Sequence, residues 1–219
     1  MKVDIAVVTE TWFRGGDDLD QDLRDLEDGA GLCTLALNRP PNRHGVSHGG
    51  VAIITRKNLG TFKRIEVNNP ECYEVLPAVG SVRGTSRRVI VIAVYIPPNY
   101  TVARGNGCMD FVENIVIDMK RKFRDPYIIL AGDFNQWAVQ ESLVDFPDIT
   151  EVAVGSTRRD RCLDRIFCNI SRGITESGTV PPLRADATES ESDHKIAYVR
   201  TVLPRIENFE WLTYTLLDY

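Results

Sequence analysis

The sequence predicts an α/β (α+β) domain built mainly of short strands, some of them covered on both faces. Three observations carry that expectation. Runs of β-branched and aliphatic residues recur along the 219 residues, at Val3–Val8, Gly50–Thr55, Tyr73–Val79, Arg88–Tyr95, Tyr127–Ala131 and Lys195–Val202, most of them bounded by Gly, Pro, Asn or charge clusters. Val89–Val94 and Ile128–Ala131 are apolar at successive positions, which suits central strands buried on two sides. Between those two, Val112, Ile115, Val116, Met119 and Phe123 recur at helical spacing. Lys120, Arg121 and Lys122 load the last turn, where the helix dipole favours cations, so the helix is expected over 108–124.

A second helix is expected over Asp17–Asp28, acidic at its start and apolar at Leu19, Leu23 and Leu26. The stretches 31–49 and 99–107 read as loops. No repeat or internal linker interrupts the chain, so residues 1–203 are assigned to one domain. Residues 204–219, with Phe209, Trp211 and Tyr214 at no strand period, read as a C-terminal appendage or linker.

Composition narrows the classes. With 43% hydrophobic residues, 26% charged, 16 Gly and 11 Pro, the chain is neither collagenous nor a low-complexity or disordered acidic segment. Its longest apolar run, Val89–Ile96, falls far short of the roughly 20 residues that a membrane helix needs. Met1-Lys2-Val3-Asp4 runs straight into a strand, so no secretory signal is read. Cys33, Cys72, Cys108, Cys162 and Cys168 are odd in number and scattered, which points to inert thiols in a reducing intracellular compartment. Cys162 and Cys168 lack a second Cys or His pair, and no zinc site is assigned. The net charge of −5 argues weakly against nucleic-acid binding by bulk electrostatics. Arg83, Arg87 and Arg88, and Arg158, Arg159, Arg161 and Arg165, are local basic clusters that suit a rim beside an acidic pocket as well as a solvated surface.

Polar residues just past the ends of buried strands are where such folds build sites, because the strand fixes the backbone while the loop admits ligand. Four places fit: Thr9-Glu10-Thr11-Trp12, Tyr95-Ile96-Pro97-Pro98-Asn99, Gly132-Asp133-Phe134-Asn135 and Ser192-Asp193-His194. Carboxylates in this number suit Mg²⁺, which takes oxygen ligands and keeps several waters; Glu10 and Asp193 are the expected ligands. Asp133 has the chemistry to orient or deprotonate a water, and His194 to meet charge on phosphoryl oxygens. Taken singly, each has a bland reading as turn, cap or solvated strand end.

The order of these segments along one chain resembles the endonuclease/exonuclease/phosphatase superfamily. The resemblance rests on Thr9-Glu10-Thr11-Trp12, Gly49-Gly50-Val51-Ala52-Ile53, Val94-Tyr95-Ile96-Pro97-Pro98, Leu130-Ala131-Gly132-Asp133-Phe134-Asn135, Leu163-Asp164-Arg165-Ile166-Phe167 and Ser192-Asp193-His194. Tyr-Ile-Pro-Pro and Leu-Asp-Arg-Ile-Phe-Cys-Asn look most like the apurinic-endonuclease-like domain that precedes the reverse transcriptase of non-LTR retrotransposons. The resemblance implies a DNase I-like, two-layer β-sandwich flanked by helices, with the site at one end of the sheets. It implies Glu10 as metal ligand, Tyr95 on the phosphate, Asp133 on the water, Asn135 on the phosphate and on Asp133, Asp164 paired with His194, and Asp193 completing the acidic centre. Mg²⁺ or Mn²⁺ is the implied cofactor, DNA the implied partner, and the nucleus the implied place of action. His44 and His48 match no family position and read as loop residues. In the family, a strand carrying a metal-holding Asn and then a helix precede the Glu-bearing strand. This chain begins in that second strand, so the expectation is a fold lacking the first strand and helix, with a bare strand edge.

The leading reading is thus a Mg²⁺-dependent DNA endonuclease that hydrolyses a P–O3′ bond. Two alternatives remain: a phosphatase of the same fold acting on inositol phosphates, and a catalytically impaired remnant.

Overall fold

The computed structural model describes residues 3–11, 29–38, 49–68, 74–98, 100–137, 143, 145–153, 155–170, 173–181 and 194–203, and the backbone of 210–218. The expected helix at Asp17–Asp28, and Trp12, His44, His48, Cys72, Asn99, Ser192 and Asp193, lie outside the described residues.

Two six-stranded sheets form. In the first, the order is β10 (Ile174–Val180), β11 (Ile196–Leu203), β12 (Glu210–Asp218), β1 (Ile5–Thr9), β3 (Val51–Arg56) and β2 (Leu32–Leu37). In the second it is β4 (Gly60–Arg64), β5 (Glu74–Val82), β6 (Arg88–Tyr95), β7 (Tyr127–Asp133), β9 (Asp164–Cys168) and β8 (Thr150–Glu151). Helix α1, Val102–Lys122, connects β6 to its parallel neighbour β7.

The alternation of side chains along β6 explains why these layers stack. Val89, Val91, Ala93 and Tyr95 enter a core with Ile5, Val7, Val51 and Ile53 of the first sheet. Ile90, Ile92 and Val94 face the other way, into a second core with Met109, Val112, Ile115, Val116 and Met119 of α1. Strand β7 divides likewise, Tyr127, Ile129 and Ala131 inward and Ile128 and Leu130 toward the helix. A strand sandwiched between a sheet and a helix must be apolar at every position, which is the pattern read from the sequence. The order of layers is sheet, sheet, helix, as the resemblance implied.

Three expectations are corrected. Helix α1 begins at Val102, inside the expected loop 99–107. Thr101 caps it, its hydroxyl accepting from Arg104 N–H, and buried Gly105, Cys108 and Met109 extend its apolar face. Residues 32–37, expected as loop, are β2, an edge strand whose half-buried positions leave little alternation to read. Most important, 210–218 is a strand and no appendage. β12 pairs in parallel with β1 (Ile5↔Tyr214 to Thr9↔Asp218) and antiparallel with β11 (Tyr198↔Thr215 to Leu203↔Glu210). The edge of β1 expected to be bare is therefore paired. Aromatic and β-branched residues in Trp211-Leu212-Thr213-Tyr214-Thr215 favour strand, and the slot between β1 and β11 supplies partners on both sides.

Candidate active site

Register places the site. Glu74 stands opposite Tyr95, Tyr95 opposite Asp133, and Asp133 opposite Asp164, on the neighbouring strands β5, β6, β7 and β9. Residues in register on adjacent strands share a face. Tyr95 belongs to the core between the sheets, so this transverse row faces the first sheet. All four residues are at most 5% exposed.

The first sheet meets the row with groups of its own. The Tyr95 hydroxyl donates to Glu10 Oε1, just past β1. His194 Nδ1, ahead of β11, lies 2.8 Å from Asp164 Oδ2. Gly50 N–H, ahead of β3, donates to Glu74 Oε2 at 2.6 Å. Asp133 is held from its own loop: Asn135 N–H donates to Oδ1 at 2.8 Å and the Asn135 amide to Oδ2 at 3.2 Å, while that amide also donates to Ile96 O at 2.8 Å. Both Asp133 oxygens are thus oriented before any substrate arrives. Glu10 and Asn135 adopt left-handed φ of 52° and 48°, unusual for non-glycine residues and costing on the order of 1 kcal/mol each, a strain characteristic of functional sites. Gly132 is needed beside Asp133, because a Cβ there would lie 1.7 Å from Val94 O.

The electrostatics follow from this crowding. Burial, then the bond to Glu10, then the charges of Glu10, Asp133 and Glu74 push the Tyr95 phenol far above its ordinary value, so it remains a donor. One ligand atom each from Asp133, Asp164 and His194 lies within 4.8 Å of the others, a grouping that can hold a metal ion. Asp133 and Asp164 supply carboxylate oxygens here, and Glu10 brings another to the Tyr95 hydroxyl of the same row; oxygen donors of this kind fit a hard divalent cation such as Mg²⁺ or Mn²⁺.

Of the sequence-derived residues, Glu10, Tyr95, Asp133, Asn135, Asp164 and His194 lie on this one end of the sandwich. Two residues escaped the sequence reading. Glu74 begins a strand and looks like a solvated end. Thr157, fully buried, accepts from Leu163 N–H at 2.9 Å and Asp164 N–H at 3.0 Å, and its carbonyl accepts from Lys195 N–H at 2.6 Å. It ties a short hairpin, bridged between Arg158 and Arg161, to the Asp164–His194 pair. Arg158, Arg159 and Arg161 are exposed on that hairpin, and Arg165 bonds Glu151 at 2.7 and 2.6 Å.

A six-on-six sandwich with this row at one end is the DNase I-like fold. The endonuclease/exonuclease/phosphatase family pattern matches residues 1–194, and the chain belongs to that family. Similar solved structures include the human nocturnin catalytic domain with bound sulfate, at TM-score 0.64 and 12% identity, covering 87% of this chain and 77% of that one. A mannosyl-6-phosphatase of Bacteroides thetaiotaomicron aligns with TM-score 0.62 and 15% identity over 88% and 82% of the two chains. TDP2 of D. rerio, complexed with single-strand DNA product, aligns with TM-score 0.59 and 13% identity over 88% and 83%. No curated protein sequence matches the chain.

Proposed function

We propose that this domain is a Mg²⁺-dependent DNA endonuclease that nicks target DNA for retrotransposition, working in the nucleus ahead of a reverse transcriptase domain of its parent protein. The observation that carries the reading is the arginine hairpin Arg158–Arg161, fastened through Thr157 to Asp164 beside the catalytic row. Exposed guanidinium groups a few residues from the site suit the flanking phosphates of a polyanion better than a single small phosphate. A D. rerio neighbour of the same fold is seen with single-strand DNA product, and the Tyr-Ile-Pro-Pro and Leu-Asp-Arg-Ile-Phe-Cys-Asn segments favour the retrotransposon branch.

In this reading Glu10 and Asp193 would hold the cation, whose charge would offset that on the phosphoryl oxygens. Asp133, both of whose oxygens are fixed by Asn135, takes a proton from the attacking water. His194, oriented by Asp164, faces the phosphoryl oxygen, and Tyr95 contacts the phosphate. Water oxygen bonds to phosphorus, the P–O3′ bond breaks, and the departing oxygen takes up a proton to leave a 3′-hydroxyl and a 5′-phosphate.

The test is incubation of supercoiled plasmid with the purified chain and Mg²⁺. Nicked circles are expected, with Asp133→Ala slower by about a hundredfold or more. Release of phosphate from inositol phosphates with the plasmid left intact would replace this reading by the phosphatase. Inertness toward both would make the chain an impaired remnant.

A further inference from the structure

The row Glu74–Tyr95–Asp133–Asp164 contains one buried carboxylate to which the proposed chemistry gives no part. Glu74 is 5% exposed, between the two sheets at the site end. Its Oε2 accepts from Gly50 N–H at 2.6 Å, a short bond. The turn it grips is built for it: Gly49 and Gly50 have φ of 101° and 96°, and a Cβ on Gly49 would sit 2.5 Å from Glu74 Oε1. A Cβ on Gly50 would collide with Thr11 Oγ1 at 2.4 Å on the opposite side. The glycine turn is therefore clamped between Glu74 of the second sheet and Thr11, the residue after Glu10, of the first.

These contacts close a ring. Glu74 takes Gly50 N–H; Gly50 O takes Thr11 N–H at 3.3 Å; Thr11 follows Glu10; Glu10 takes the Tyr95 hydroxyl; and Tyr95 stands opposite Glu74 in the β5–β6 register. Glu10 lies just past the end of β1 at Thr9, where its left-handed backbone has to be held by neighbouring residues. The ring supplies that hold from two sides.

We propose that Glu74 is a positioning residue that sets Glu10 for cation binding by bracing the Gly49–Gly50 turn across the two sheets. The proposal rests on Glu10 being a metal ligand, as in the function proposed above. It assigns the effect to the placement of the Glu74 oxygen and not to its charge, and two conservative variants separate these. Glu74→Gln keeps an acceptor oxygen at the same reach and loses the charge. Glu74→Asp keeps the charge and withdraws the oxygen by one methylene from Gly50.

The experiment is Mn²⁺ titration of the substrate-free chain, followed by metal-bound electron paramagnetic resonance, alongside plasmid nicking by the same proteins. Glu74→Gln should bind Mn²⁺ as the unaltered chain does, while Glu74→Asp should bind about tenfold more weakly, the usual size of an effect passed through a ligand's support. In a Glu10→Ala background, Glu74→Asp should add no further loss. The proposal is overturned if Gln weakens binding as much as Asp does, if Asp binds like the unaltered chain, if the loss persists without Glu10, or if the unaltered chain binds no Mn²⁺. Absence of nicking with this affinity pattern intact would sink the nuclease reading alone, and nicking with a flat pattern would sink the role of Glu74 alone.

Discussion

At Tyr95, burial and three neighbouring carboxylates act in the same direction. The neutral phenol is favoured by desolvation first, then by its bond to Glu10, then by the charges of Glu10, Asp133 and Glu74. A raised folded-state value gives stability that is complete below the unfolded tyrosine value of about 10 and is lost as pH climbs toward the folded value. Thermal melts from neutral to strongly alkaline pH should show the unaltered chain losing Tm above about pH 10, with a shallower loss for Tyr95→Phe. At neutral pH the Phe variant should be less stable by about 1 kcal/mol, the net worth of one hydrogen bond. Equal alkaline slopes in the two proteins would contradict the burial of a protonated phenol. Tyr95 and Asp133 were legible because each adjoins a strongly apolar run and offers a group with evident chemistry, whereas Asp164 was reached through the family resemblance alone. Glu74 was not, since its significance lies in register across strands, and a lone charge opening Tyr73–Val79 reads as a strand end meeting water.

Legibility among the elements follows burial on two faces. β6 and β7, which separate two cores, carry unbroken apolar runs, and the sequence located both closely. β4, with Phe62 its one buried position, β10, which is polar along most of its length, and β9, which opens on Asp164 and Arg165, have no such signature, because edge position or a site residue overrides the alternation. β12 was missed for a different reason: its partners β1 and β11 lie at distant points of the chain, and its place depends on a slot that only the assembled sheet creates. That slot makes a prediction. Removing 204–219 leaves β1 and β11 without the strand between them, and two unpaired edges at the centre of a sheet invite pairing between molecules. Size-exclusion chromatography with light scattering should show oligomers for the shortened chain, and its Tm should fall by roughly 10 °C, equivalent to a few kcal/mol at this length. A monomer with unchanged Tm would mean that β12 contributes nothing to the sheet.

For the molecule as a whole, the question is how an acidic chain of net charge −5 would hold a polyanion. Over distances beyond about 10 Å, salt at ordinary strength screens the overall charge, so what a phosphate backbone meets is the local arrangement. Among the arginine clusters of the sequence, Arg165 is neutralised by Glu151 and Arg87 by Asp125, at 2.6 and 2.7 Å, which removes both from the basic rim. Arg158, Arg159 and Arg161 are exposed and stand within a few residues of Asp164. If these three contact flanking phosphates, each should release about 0.9 counterions on binding duplex DNA, and substitution by alanine should lower the slope of log affinity against log salt by about that amount per residue. The same substitutions touch none of Glu10, Asp133, Asn135 or His194, so hydrolysis of a small diester such as bis(4-nitrophenyl) phosphate should continue at the unaltered rate. The informative comparison is the triple variant on both substrates: a drop confined to DNA, and recovered at low salt, assigns the hairpin to the polyanion. A parallel loss on the small diester would instead mean that the hairpin acts through Thr157 on the Asp164–His194 pair, and that the substrate's length is read elsewhere on the molecule.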